Sequence, residues 1–220
     1  MENRQQMNLA ERSVNFVVAA LKSYGPSSLK KYFWDKEFAG TKWDFINHTE
    51  GDCVYEFLEQ YARGGKILDL GCGPGNTANE VAPNAYSHYV GVDISDSALA
   101  KARKRTAEED RESKNTFIQS DIVSYTPGDK YDVILFRESM YHVPMGKIKS
   151  TLDRLSAYLK QDGAFVVRMF MADKNTGSQD KPRPLAMVDI LETNFEVLEK
   201  KRYPGQRHPT VLVLRPRRAS

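Results

Sequence analysis

The run Ile67-Leu68-Asp69-Leu70-Gly71-Cys72-Gly73-Pro74-Gly75-Asn76-Thr77 constrains this chain more than any other feature. A short apolar stretch suited to a buried strand leads directly into glycines at alternate positions and then into a helix. Glycines there allow a sharp strand-to-helix turn and let the backbone approach a ligand without Cβ clashes. The spacing is Gly-x-Gly-x-Gly, unlike the Gly-x-Gly-x-x-Gly of dinucleotide sites, and an acid, Asp69, stands at the strand's end. A carboxylate beside such a loop repels a pyrophosphate and favours a ligand with an ammonium or sulfonium group, which disfavours NAD and ATP.

Roughly twenty residues further on, a second strand ends in Val90-Gly91-Val92-Asp93-Ile94-Ser95, the position from which a carboxylate accepts hydrogen bonds from both hydroxyls of a ribose. A third acid, Asp121, follows the third strand in Gln119-Ser120-Asp121-Ile122. From there it is placed to accept from an exocyclic amine while Ile94 and Ile122 sandwich a flat base, so the ligand expected is an adenine nucleoside with little or no phosphate.

The rest of the chain is organised around that frame. Candidate strands are Ile67 to Leu70, Tyr89 to Val92, Thr116 to Gln119, Val133 to Phe136 and Ala164 to Phe170. Several are apolar at consecutive positions, as parallel strands covered on both faces should be. Ser95 is the expected N-cap of a helix to Glu109, and Ile148, Leu152, Leu155 and Leu159 repeat at helical spacing before Gly163. Pro184 suits the first turn of a helix through Leu191, and Phe195 to Arg202 and Thr210 to Leu214 flank Pro204-Gly205 as a hairpin. The fold class predicted is α/β, a Rossmann-like doubly wound, mostly parallel sheet with a C-terminal antiparallel hairpin. Residues 1–63 read as an N-terminal helical cap of the same domain, with the core from 64 to 220. In the cap, Asn8 and Glu11 form a capping box for a helix whose Val14, Val17, Val18 and Leu21 share one face, and Tyr32, Phe33, Trp34, Trp43 and Phe45 make an aromatic stretch.

Composition narrows the function classes. A chain of 220 residues can bury a sizeable core without staples, and Cys53 and Cys72 are too few for a disulfide framework or a Cys-rich zinc site, which points to a reducing compartment. A net charge of +3 is far from that of a dedicated nucleic-acid binder, and Arg215-Pro216-Arg217-Arg218 reads as a solvated end. The polar first residues resemble no signal peptide and no apolar run reaches membrane-spanning length, so the expectation is a cytoplasmic protein with no membrane or nucleic-acid partner.

Leu68-Asp69-Leu70-Gly71-Cys72-Gly73-Pro74-Gly75, Gly91-Val92-Asp93-Ile94-Ser95, Ser120-Asp121-Ile122 and Tyr131-Asp132-Val133-Ile134 strongly resemble the class I S-adenosylmethionine-dependent methyltransferases. The resemblance runs from Lys66 to Leu214. It implies S-adenosylmethionine as methyl donor and S-adenosylhomocysteine as product, with Gly71, Gly73 and Gly75 along the methionine part, Asp93 on the ribose, and Asp121 and Ile122 at the adenine. Asp69, Cys72, Ile94 and Arg137 complete the expected cofactor-binding set, Cys72 as a small filler and not a nucleophile.

The acceptor side follows the fourth strand, in Phe136-Arg137-Glu138-Ser139-Met140-Tyr141-His142-Val143-Pro144. His142, with a near-neutral ordinary pKa at the cleft end of a strand, is the candidate catalytic base or substrate contact, with a packing role as the alternative. Glu138, Tyr141, Tyr32 and Trp43 are candidate substrate contacts, each with a packing role as the alternative. No Asp/Asn-Pro-Pro-aromatic segment of the nucleic-acid amino-methylating kind follows the strand, and no Cys/His cluster or convergent carboxylate set suggests a metal site. The predicted activity is methyl transfer to an oxygen or nitrogen of a small molecule, a sugar derivative or secondary metabolite. The rival readings are a related protein that holds the cofactor structurally while promoting a cyclisation or rearrangement, and a binding module that methylates nothing.

Overall fold

The computed structural model of the protein describes residues 9–40, 49, 51–171, 183–204 and 208–217. In chain order the helices are α1 (Leu9–Tyr24), α2 (Ser27–Ala39), α3 (Val54–Ala62), α4 (Asn76–Glu80), α5 (Asp96–Glu108), α6 (Ile148–Ser156) and α7 (Arg183–Asn194). The strands are β1 (Lys66–Leu70), β2 (His88–Asp93), β3 (Asn115–Gln119), β4 (Tyr131–Arg137), β5 (Leu159–Phe170), β6 (Phe195–Arg202) and β7 (Pro209–Pro216). They form one seven-stranded sheet in the order β3-β2-β1-β4-β5-β7-β6. β1 to β5 are parallel, and β7 runs antiparallel between β5 and β6. The predicted sheet and hairpin are both present.

Consecutive apolar residues in the strands have the expected cause. In β1, Ile67 belongs to the apolar layer that holds Val54, Phe57 and Leu58 of α3, while Leu68 and Leu70 face the layer that holds Ile148, Leu152 and Leu155 of α6. β1 is paired to β2 on one side and β4 on the other, so successive crossovers leave it in opposite directions. That switch opens a crevice at the carboxyl ends of β1 and β4, where the glycine loop and the Glu138 turn begin.

Four local expectations need correction. Leu159 opens β5 opposite Tyr131 instead of closing the preceding helix, which ends at Ser156. An apolar residue four beyond Leu155 fits either element, and the ladder to β4 decides it. In α1, Val14 is 61% and Val17 54% exposed while Val18 and Leu21 are half-buried, so the apolar stripe is covered only toward the end of the helix. α3, grouped by sequence with the cap, packs on the sheet. Arg215 is not part of a solvated end: it lies in β7 and donates to Asp162 O at 2.7 Å.

Candidate active site

The glycine loop forms the first wall of a cavity of about 540 Å³ at the crevice, within the size range of small-molecule and cofactor sites. Gly71 has φ +84° and Gly75 φ +77°, in the left-handed region. A Cβ on Gly71 would lie 2.5 Å from Ser139 Cβ, and one on Gly75 would lie 2.8 Å from Ala102 Cβ, so side chains are excluded from both by backbone and by space. The loop is pinned to β2, with Gly71 N and Cys72 N donating to Val92 O at 2.7 and 3.1 Å.

Asp93 organises the same corner. Its carboxylate accepts from Gly73 N and Ser95 N, both at 2.9 Å, and so joins the loop to the start of α5. Burial pushes its carboxyl up to about 6, against the pull of those backbone N–H groups. Ser95 caps α5 as expected, accepting from Ala98 N at 3.1 Å. Asp69 is buried within β1, and its Oδ2 accepts from Tyr89 Oη at 2.5 Å. Burial raises its carboxyl to about 6 despite that bond. Cys72 packs its sulfur where a Cβ of Gly91 would lie, at 2.8 Å, and burial lifts its thiol well above the ordinary value, in keeping with a filler.

The cap covers this end of the cavity. Lys30, Trp34 and Phe38 stand four apart on α2 and are its buried residues. Trp34 and Phe38 stack at 5.9 Å between centroids and pack on Ala98 and Ile94. Asp35 holds α2 to the start of α5, accepting from Ser95 Oγ at 2.8 Å and Ser97 N at 3.1 Å. Asp121 is engaged from the same helix: Oδ2 accepts from Lys30 Nζ at 2.9 Å and Ser27 Oγ at 3.0 Å, and Oδ1 from Val123 N at 3.0 Å. Although burial opposes it, these bonds hold the Asp121 carboxyl below the usual carboxylate range. A carboxylate offers about four acceptor positions, which leaves room for one further donor. Replacing Lys30 with methionine should remove a hydrogen bond to a charged group, worth roughly 1.5–3 kcal/mol. Amide exchange in α2 is therefore expected to speed up about ten- to hundredfold with the sheet unaffected; unchanged α2 protection would show that the ion pair does not hold the helix.

The turn after β4 brings Glu138, Ser139, Tyr141 and His142 to the same cavity, with Arg137. Arg137 is committed to Asp52, with Nη2 to Oδ2 at 2.8 Å, and its guanidinium lies over the Tyr55 ring at 5.5 Å. His142 sets its ring edge-on to Trp34, 4.7 Å between centroids. The structure thus gathers Asp69, Gly71, Cys72, Gly73, Asp93, Ile94, Asp121, Ile122, Arg137, Glu138, Tyr141 and His142 around one cavity, with Gly75 behind the loop. Tyr32 is not among them: it is 58% exposed and edge-on to Phe33, on the outer side of α2. Trp43 lies outside the described residues.

Sequence reasoning missed Asp52, Lys30, Ser139, Arg168 and Phe170, all of which line the cavity. Arg168 had a signal, being a cation inside the otherwise apolar run Ala164 to Phe170. Lys30 and Asp52 had none, because each is a charged residue in polar sequence. Among the described residues no group of three or more His, Cys, Asp or Glu is placed to hold a metal ion, and no helix is long and apolar enough to cross a membrane.

Residues 45–208 match the family described as Methyltransferase domain. The chain belongs to that family. It is the class I, S-adenosylmethionine-dependent kind. A sterol 24-C-methyltransferase of Gibberella zeae is 23% identical over 186 residues, 79% of this chain and 47% of that protein. A putative methyltransferase of Geobacillus sp. is 32% identical over 114 residues, 50% of this chain and 45% of that protein. The chain spans about half the length of the curated relatives it matches. The N-methyltransferase NodS of Bradyrhizobium japonicum, solved with S-adenosyl-L-homocysteine, shares the fold at a TM-score of 0.64 and 16% identity, covering 84% of this chain and 97% of its own.

The cofactor of this methyltransferase family is S-adenosylmethionine, and the site suits it. Asp69 Oδ1 and Ser139 Oγ are buried, belong to residues lining the cavity, and have no hydrogen-bond partner among the described residues. Unmet buried polar atoms beside a glycine loop closed to side chains are what a polar ligand in close backbone contact would satisfy.

Proposed function

We propose that this chain transfers the methyl group of S-adenosylmethionine to an oxygen or nitrogen of a small polar molecule. The observation that carries this reading is a single cavity lined by the glycine loop, Asp93 and Asp121 and also by Asp52, Arg137, Glu138 and Arg168. When bound, the cofactor supplies an activated methyl group. The chain's part is to hold ribose and adenine through Asp93, Asp121, Ile94 and Ile122, and to align an acceptor at the Glu138 end. Alignment of this kind can contribute about 7–11 kcal/mol to lowering the barrier. Trp34 and Phe38 of α2 shield the cofactor end from water.

The cavity's Asp52, Arg137, Glu138 and Arg168 favour a polar acceptor over the sterol carbon on which the fungal relatives act, because their charged groups offer hydrogen bonds that a hydrocarbon cannot use. Calorimetry is expected to show S-adenosylhomocysteine bound and NAD bound far more weakly. Incubation with labelled S-adenosylmethionine and a metabolite extract should then yield a polar product carrying one added methyl group on oxygen or nitrogen. Equal affinity for NAD would sink the reading, and a carbon-methylated lipid as the product would overturn its acceptor class.

A further inference from the structure

The acceptor end contains a chain of charges that the sequence motifs leave without a role. Glu138, directly after β4, has φ +56°, a left-handed conformation that costs a non-glycine residue about 1–3 kcal/mol and persists where the surroundings enforce it. Here the enforcement is visible, since Glu138 N donates to Arg168 O at 3.0 Å and ties the turn to β5. The side chain lines the cavity, with Oε1 accepting from Arg168 Nη1 at 2.7 Å.

Arg168 is fixed in turn. Its Nη2 lies 3.2 Å from Asp52 Oδ2, and its guanidinium stands over the Phe170 ring at 4.2 Å. Asp52 also receives Arg137, while the Tyr141 hydroxyl donates to Phe170 O at 3.0 Å. The charged and titratable groups around Glu138 are therefore Arg168 from β5, Arg137 from β4, Tyr141 from the following turn, and Asp52 ahead of α3 through Arg168.

The two carboxylates differ in their surroundings. Asp52 is shared by two arginines, which hold its carboxyl below the usual range even though burial opposes them. Glu138 has one arginine, and burial pushes its carboxyl up to about 7 against that partner. Paired carboxyls driven apart in this way mark one as a permanent anion and the other as a group able to exchange a proton near neutrality.

We infer that Glu138, and not His142, is the base that takes the proton of the acceptor, an inference that rests on the methyl-transfer reading above. The acceptor's oxygen or nitrogen forms a bond to the methyl carbon and the carbon–sulfur bond breaks, its electron pair remaining on sulfur. The acceptor's proton passes to a carboxylate oxygen of Glu138 and then to solvent. Loss of the sulfonium charge and neutralisation of the carboxylate balance. Arg168, anchored on Asp52, holds the carboxylate facing the cavity, while His142 serves as a wall against Trp34.

The test uses the full chain labelled with carbon-13 at the glutamate carboxyls and titrated by NMR with S-adenosylhomocysteine present. Glu138→Gln identifies the signal. One carboxyl should titrate above pH ~6, close to 7, and be missing from the variant, which should bind S-adenosylhomocysteine within about threefold of wild type. With labelled S-adenosylmethionine and a metabolite extract, Glu138→Gln should slow transfer by ~10²- to 10⁴-fold. A Glu138 signal below pH ~6, a variant with a larger loss of cofactor affinity, or transfer lost in His142→Gln and kept in Glu138→Gln would each overturn the assignment. Failure of the wild type to bind S-adenosylhomocysteine would instead remove the methyl-transfer reading, while a cofactor-binding protein with an ordinary Glu138 removes only this one.

Discussion

Asp93→Ala is expected to weaken S-adenosylhomocysteine binding by roughly 2–4 kcal/mol, about 30- to 1000-fold, because ribose hydroxyls lose a charged acceptor and hydrogen bonds to charged groups contribute about 1.5–3 kcal/mol each with incomplete additivity. The carboxylate also holds Gly73 N and Ser95 N, so part of the loss will come from a loosened loop. Asp93→Asn, which retains a side-chain acceptor, should lose less. Circular dichroism checks the fold and calorimetry the affinity; a folded Asp93→Ala variant with wild-type affinity refutes the ribose assignment. A pH dependence follows as well. With its carboxyl near 6 in the free protein, Asp93 is ionised above that pH and ready to accept, so affinity should fall as pH drops from about 7 to 5, by up to about tenfold per unit below the pKa. Asp93→Asn should flatten that slope. The linked stability has the opposite sense: a carboxyl raised on folding stabilises the free protein below its unfolded pKa, and that contribution is lost as pH rises through about 6.

Gly71→Ala should be the most damaging single substitution in the loop. The new Cβ would meet Ser139 Cβ at 2.5 Å, at a residue with φ +84°. Left-handed backbone costs a non-glycine residue about 1–3 kcal/mol, and overpacking typically adds about 1–3 kcal/mol. The expected result is a loss of roughly 2–6 kcal/mol and a melting temperature lower by about 4–24 °C for a chain of this size. Cofactor binding should be lost with it, since relief of the clash must move the turn after β4 or the loop itself. Thermal unfolding and calorimetry measure the two effects. A variant that melts with the wild type and binds S-adenosylhomocysteine normally would show that this loop does not need glycine at its first turn.

How far the sequence could be read depended on how local each determinant is. β1 and its glycine turn, the Ser95 cap of α5, and the acids Asp69 in β1, Asp93 ending β2 and Asp121 after β3 were legible because strand burial, turn chemistry and capping depend on residues a few positions apart. Leu159 marks the edge of that reach: its spacing satisfied a helix, and pairing with Tyr131 made it strand. The sequence alone determined the sheet, the glycine loop that follows β1, and the family. Tertiary structure decided which side chains meet there. Lys30 reaches Asp121 across 91 positions, Arg137 reaches Asp52 across 85, and Arg168 reaches Glu138 across 30. The exposure of Val14 and Val17 on α1 and the outward ring of Tyr32 were settled in the same way. An ion pair leaves no periodic trace in a chain, because a charged residue destined for a buried partner and one destined for water look alike until the fold sets their separation and removes the solvent between them.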